Sequence, residues 1–233
     1  MRLLLIRHGQ TPANVLGRLD THKPGPRLTA LGAQQAAAVP AALEAERIEG
    51  VFASTLIRTQ LTAEPLAERL GLEVTVLDGL KEIEAGDLED LTDAVSVEKY
   101  LSTALAWADG DLAPRIPGGH DGHEFFARFD AGVADIAATG VATVAVFTHG
   151  MAIRCWAAAR CAGIDGTFAA RNQLGNTGMV VLESTDAASW SMIEWHTAPI
   201  GGQSLRDATD VDPFAETLPD ARRNAERPSS ERV

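Results

Sequence analysis

Apolar residues along the chain fall into short blocks that switch between two periodicities. Leu3 to Ile6 is an unbroken apolar run ending at a polar turn, the pattern of a strand buried on both faces. Val51-Phe52-Ala53, Glu73 to Leu77 and Val141 to Phe147 predict three more strands. Between them the spacing turns helical. Thr29 predicts an N-cap for a helix from Ala30 to about Glu46, which Pro40 is expected to kink or split. After Ser54, residues Leu56, Ala63, Leu66, Ala67 and Leu70 share one helical face, and Gly71 is its stop. Further helices are expected over about 95–108 and 124–138, and after Gly150, where Met151, Ile153, Trp156 and Ala157 recur. Met179 to Leu182 and Ser189 to Trp195 predict a closing strand pair, and the stretch from Gly79 to about Pro117 is otherwise irregular. Strands alternating with helices predict an α/β protein: a three-layer α/β/α sandwich around a mostly parallel sheet.

Length and charge narrow this picture. The 233 residues suffice for one sizeable core and fall short of two full domains. The expected organisation is one domain over residues 1–200. From Gly201 to Val233 polar residues dominate, which predicts a tail that is mobile or packed on the domain. With 20 Lys+Arg against 32 Asp+Glu, the net charge of −12 repels phosphodiester backbones and anionic lipid, so neither nucleic acid nor a membrane surface is an expected partner. No apolar stretch reaches the roughly 20 residues of a membrane span, and the first strand is too short an apolar run for a signal peptide. Two cysteines, Cys155 and Cys161, give no disulfide framework; they read as core thiols of a cytoplasmic protein.

Candidate chemistry collects where strands end. Arg7-His8-Gly9 directly follows the first strand and Thr148-His149-Gly150 the fourth, and open α/β sheets bind ligands at the carboxyl ends of their strands. On a chain this acidic, a small phosphorylated ligand needs a local cluster of arginines.

The string R-H-G-Q-T-P-A-N, Arg7 to Asn14, resembles the signature of the histidine phosphatase superfamily, which includes the cofactor-dependent phosphoglycerate mutases. Three further segments match in the expected order: S-T-L-I-R-T-Q-L-T-A (Ser54 to Ala63), L-K-E-I-E-A-G-D-L-E-D (Leu80 to Asp90) and T-H-G-M-A-I-R (Thr148 to Arg154). The resemblance covers about residues 1–196. It implies a phosphoglycerate mutase-like fold with His8 as nucleophile, because a neutral imidazole nitrogen attacks phosphorus and holds the group as phosphohistidine. It also implies that Arg7 and Arg58 grip the phosphoryl oxygens, since a planar guanidinium binds two at once and keeps its charge. Arg58 lies in the first turn after a strand, where backbone donors already favour an anion. His149 is expected to hydrogen-bond the same group, with Asn14 and Thr11 as neutral donors. Glu82, followed four residues later by Gly86, is the expected general acid; Glu84 is its competitor and Glu89 a brace for the loop.

The chain departs from the pattern it resembles, which often has Gly-Glu-Ser after a Pro-Gly-Gly turn, at P-G-G-H-D-G-H-E-F, Pro117 to Phe125. Imidazole and carboxylate are metal ligands, yet spacing this tight in a Gly-rich loop makes a poor cage, and a substrate-facing loop or plain surface is the better expectation. No metal and no cofactor is expected. The mutases in the family have a Trp before the asparagine, a long insertion before the second histidine and a lysine-bearing tail. Here there is no Trp near Asn14, Glu82 and His149 are 67 positions apart, and the lysines are Lys23, Lys81 and Lys99 alone. A phosphatase acting on a small-molecule phosphate ester is therefore expected ahead of a mutase or a non-catalytic phosphate sensor. The resemblance also implies a possible homodimer.

Overall fold

The computed structural model describes residues 1–187 and 189–207. Its elements run β1 (Arg2–Arg7), α1 (Pro12–Val15), α2 (Ala30–Ala42), β2 (Gly50–Ser54), α3 (Ile57–Leu70), β3 (Val74–Leu77), α4 (Ala94–Ala108), α5 (Gly122–Ala138), β4 (Thr143–Thr148), α6 (Gly150–Arg160), α7 (Gly166–Arg171), β5 (Met179–Glu183) and β6 (Ser191–His196). The six strands form one sheet in the order β3-β2-β4-β1-β5-β6. The first four are parallel, and β5 and β6 complete one edge antiparallel.

Alternation along the central strands builds two cores. Leu3 and Leu5 of β1 pack with Val144 and Val146 of β4 beneath α4, α5 and α6, around Tyr100, Trp107, Phe125, Phe129 and Trp156. Leu4 and Ile6 face the other way with Ala145 and Phe147, against Val39 of α2 and Ala63, Leu66 and Ala67 of α3. A strand whose successive side chains enter opposite cores must be apolar throughout, which is why β1 and β4 read as unbroken runs. The result is the expected three-layer α/β/α sandwich.

Local chemistry accounts for most boundaries. The Thr29 side chain accepts from Gly32 N and starts α2, while Gly71, at φ 66°, ends α3. Two details differ from the sequence reading. Helix α2 stops at Ala42 rather than near Glu46, and Pro40 sits in its last turn without splitting it; the helix ends two residues beyond, after a proline that has no N–H to give the carbonyl four residues back. Leu70, placed on the buried face of α3, is exposed because the helix ends beside it. Both cysteines are buried as expected, and burial pushes the Cys161 thiol up to about 11.

The expected polar tail lies largely outside the described residues. Its described part, 201–207, rests on α2, where Gln35 Nε2 donates to the Leu205 carbonyl at 2.8 Å, and Gln10 Nε2 donates to Asp207 Oδ2 at 2.6 Å. No helix among the described residues is long and apolar enough to cross a membrane.

Candidate active site

β1 and β4 are parallel neighbours with Arg7 opposite Thr148 in register. The residues that follow, His8 and His149, therefore leave the same sheet edge side by side, with ring centroids 5.3 Å apart. β2 lies on the other side of β4, and the chain leaving it enters α3, whose first turn carries Arg58 into the same space. His8, Arg58, Glu82, Asn14 and Thr11 line one narrow cleft together with Arg18 and Asp20. Glycine makes one part of this possible: a side chain at Gly25 would stand 2.6 Å from Arg58 Nη1, and its φ of +71° favours glycine in any case.

Hydrogen bonds fix the protonation of His8. Its Nδ1 lies 2.8 Å from the Gly9 carbonyl, which only accepts, so Nδ1 carries the proton. Arg58 Nε donates to Nε2 at 3.1 Å, so Nε2 presents a lone pair. Burial, followed by the charges of Arg58 and Arg7, holds the imidazole well below its ordinary pKa of 6.5. His8 is thus neutral, with its unprotonated nitrogen accepting from a guanidinium, and a neutral imidazole is the state a nucleophile needs.

His149 is also buried and held well below 6.5, by burial first and then by Arg58 and His8. It occupies the N-cap position of α6 without capping it. Its Nε2 is 2.8 Å from Ser54 Oγ, and its buried Nδ1 has no hydrogen-bond partner among the described residues. Thr59 Oγ1 lies within reach of the Ser54 and Leu56 carbonyls, both acceptors, so towards Ser54 Oγ at 3.0 Å it can only accept. The Ser54 proton therefore chooses between Thr59 and His149. Given to His149 Nε2, it leaves Nδ1 protonated as a donor for an incoming oxyanion.

The capping of α6 falls to Glu82. Its carboxyl accepts from Met151 N and Ala152 N at the start of that helix and from its own neighbour Ile83 N, at 3.1, 2.7 and 2.8 Å. Burial pushes Glu82 up, and the three donors pull the other way without prevailing. The competitor Glu84 instead faces Lys81 and His120, each at 3.5 Å. Glu89 accepts from the backbone of Thr21 and His22 and from Thr21 Oγ1, which ties the loop as a brace would.

Asn14 Oδ1 accepts from Thr11 N, Thr11 Oγ1 and Asn176 Nδ2 at 2.9, 3.0 and 3.3 Å. Its oxygen is fully engaged, which leaves its amide N–H groups for the cleft. The Thr11 hydroxyl is spent on Asn14 and on capping α1. Arg7 is buried beside His8 and donates to the Leu174 carbonyl at 2.7 Å. At the unusual loop, Asp121 and Glu124 form the capping box of α5 and pair with Arg115 at 2.6 and 2.7 Å.

Sequence reading missed several contributors. Ser54 stands four residues before Arg58, inside a recognised segment, yet its partner His149 is 95 residues away. Asn176, which holds both the His8 carbonyl and Asn14, lies in a segment with no recognisable pattern. Arg128 of α5 donates to the carbonyls of Gly79, Lys81 and Glu82 at 2.8, 3.0 and 2.9 Å and so anchors the segment carrying Glu82. Asp20, six residues beyond Asn14, gave no sign of reaching the cleft.

Comparison with known proteins bears on the family and the fold. Residues 3–198 match the model of the histidine phosphatase superfamily (branch 1). A relative from Mycobacterium tuberculosis, described as the PE-PGRS family protein PE_PGRS11, is 38% identical over 223 residues; the match covers 89% of this chain and only 38% of that protein. The probable phosphoglycerate mutase GpmB of Salmonella choleraesuis is 27% identical over 91% of this chain and 98% of its own. Among solved structures, a mycobacterial glucosyl-3-phosphoglycerate phosphatase in complex with VO3 superposes with a TM-score of 0.71 at 30% identity, covering 84% of this chain and 99% of that one.

Proposed function

Because the chain belongs to the histidine phosphatase superfamily, we propose that it hydrolyses a small-molecule phosphate monoester through a phosphohistidine on His8, without a metal. His8 Nε2 attacks phosphorus and forms the N–P bond as the ester P–O bond breaks. The Glu82 carboxyl gives its proton to the departing oxygen. Water then attacks phosphorus, Glu82 takes back a proton, and the N–P bond breaks to return the lone pair to Nε2 and release inorganic phosphate. Arg7 and Arg58 offset the negative charge on the equatorial oxygens, the part of catalysis a metal would otherwise supply. His149 Nδ1 and the Asn14 amide add donors, and Thr11 holds Asn14 in place.

One observation carries this reading. His8 is buried and neutral, with its Nδ1 proton fixed on Gly9 and its Nε2 lone pair facing Arg58 in the cleft that Glu82 also lines. A mutase is the second reading, favoured by the similarity to the Salmonella protein. The two differ in whether phospho-His8 surrenders its group to water or to a bound phosphoglycerate. A cytoplasmic site of action and a homodimer belong to the same proposal.

The test is hydrolysis of p-nitrophenyl phosphate in EDTA by wild type and His8→Ala. Activity in the wild type, lost in the variant, is the expected result. Equal activity in both sinks the His8 mechanism. Inactivity of both, with interconversion of phosphoglycerates by the wild type, favours the mutase.

A further inference from the structure

The cleft holds a carboxylate that takes no step in the phosphatase chemistry, although it is the charge partner of Arg58, whose Nη2 also donates to that residue's backbone carbonyl at 2.8 Å. This residue, Asp20, lines the cleft beside His8, Arg58 and Glu82. Its Oδ2 is buried and accepts no hydrogen bond among the described residues. It forms a long ion pair with Arg58 Nη1 at 3.6 Å, beyond hydrogen-bonding range, and that nitrogen also has no hydrogen-bond partner among the described residues. Glu89, close by, is the opposite case, with both oxygens taken by Thr21 and His22. Glu89 is spent on the loop, whereas Asp20 keeps an acceptor with an ion pair but no hydrogen-bond donor in the wall of the cleft. Such an acceptor is costly in the free protein, and a ligand that brings a donor removes the cost.

Charge decides what kind of ligand group can meet it. Asp20 is pushed up by burial and by the negative charges of Glu89 and Asp90, against the pull of Arg58 and Arg18. Arg18 is the further guanidinium lining the cleft, and its Nη1 is paired with Asp90 at 3.2 Å. A phosphoryl dianion placed against this acidic side is repelled, so Asp20 faces the part of the ligand beyond the ester oxygen. A carboxylate there is repelled as well. An ammonium group would satisfy Asp20 but would be forced against Arg58 and Arg18. A hydroxyl supplies the donor with no charge penalty.

We infer that Asp20 selects the leaving group by accepting a hydrogen bond from a hydroxyl, so that the substrate is a polyol or sugar phosphate with no carboxylate attached to the carbon beside the phosphate-bearing one. This rests on the phosphatase reading above and names the substrate class of that same site. It also separates this chain from proteins that act on phosphoglycerates. A site built around a hydrogen bond to a substrate hydroxyl discriminates strongly against analogues that lack it, because its own polar group is then left unpaired.

Three esters with one carbon skeleton test the inference: glycerol 3-phosphate, 3-phosphoglycerate and propyl phosphate. Wild-type kcat/KM is expected to favour glycerol 3-phosphate over each of the others by about 10- to 100-fold, the range of a hydrogen bond to a charged group. Asp20→Ala is expected to bring glycerol 3-phosphate and propyl phosphate to near parity. Asp20→Asn keeps the shape and one acceptor oxygen without the charge, and is expected to raise 3-phosphoglycerate relative to the other two. If Asp20→Ala does not fold, Asp20→Asn decides alone. A wild type that prefers 3-phosphoglycerate overturns the inference. So does an equal loss on all three esters in both variants, which would mean that Asp20 merely supports Arg58. Turnover of p-nitrophenyl phosphate by the same wild-type sample separates the two levels. With that activity present and the expected order absent, only the role of Asp20 fails; without it, the phosphatase reading fails and takes this inference with it.

Discussion

At the scale of single residues, Glu82 is held between opposed influences: burial favours its neutral form, and three backbone donors favour its carboxylate. Burial prevails, so the pKa is raised and the protonated acid persists to higher pH than for an exposed glutamate. The acid is active when protonated, so kcat on an alkyl ester is expected to fall as pH rises through that raised value. Glu82→Gln cannot donate a proton. It should lose about 100-fold or more on propyl phosphate and much less on p-nitrophenyl phosphate, whose leaving group departs with little need of a proton. Equal losses on both, or a wild-type rate that climbs steadily to alkaline pH, would remove Glu82 from the role. The residues legible in the sequence, His8, Arg58 and His149, are those whose place follows from the strand immediately before them. Ser54, Asn176 and Asp20 were not legible, because each acquires its meaning from an atom brought in by a distant segment.

At the scale of elements, the segment from Gly79 to Glu82 shows why the middle of the chain resisted a periodic reading. It belongs to no long helix or strand; a helix distant in sequence holds it, through the grip of Arg128 of α5 on the carbonyls of Gly79, Lys81 and Glu82. Where α5 meets it, a Cβ added at Gly79 would lie 2.8 Å from the Gly132 backbone, so the contact is backbone to backbone. Periodicity reports faces of regular elements, and this segment has none to report. The dependence is testable. Arg128→Met keeps bulk and removes the donors, which leaves buried carbonyls unpaired at about 1–3 kcal/mol each. Stability should fall in denaturant titrations, and kcat on propyl phosphate should fall further than kcat on p-nitrophenyl phosphate because the displaced group is Glu82. Loss of stability with an unchanged ratio of the two activities would make Arg128 a structural brace alone. The helices with a clean apolar stripe, α3 and α5, were legible within a residue or two, whereas the short α1 and α7 offered no stripe at all.

At the scale of the whole molecule, the alternation of strands and helices was enough to read an α/β sandwich, but not the position of β4 between β2 and β1, which pairing across 90 residues and more decides. That position matters most for the chemistry. It sets two imidazoles side by side among arginines in a buried sheet edge and charges the fold for keeping them neutral. In the unfolded chain both histidines titrate near 6.5, whereas in the folded protein both lie well below it. As pH falls from 6.5, the unfolded state binds protons that the folded state cannot, so stability is lost on the acid side, at up to about 1.4 kcal/mol per pH unit for each histidine. Glu82 and Asp20 act in the opposite sense. Their raised values mean that the folded state takes up protons first, and acidification relieves the cost of burying them. The wild-type profile is therefore a difference of two trends, and a single-site variant is needed to separate them. His149→Asn removes one buried imidazole and leaves both carboxyls. Between pH 6.5 and 5 the wild type should lose more stability than this variant in urea unfolding, within the limit of about 1.4 kcal/mol per pH unit. Parallel profiles would mean that His149 titrates alike in both states, and the neutral donor assigned to it would have to be replaced by a charged one.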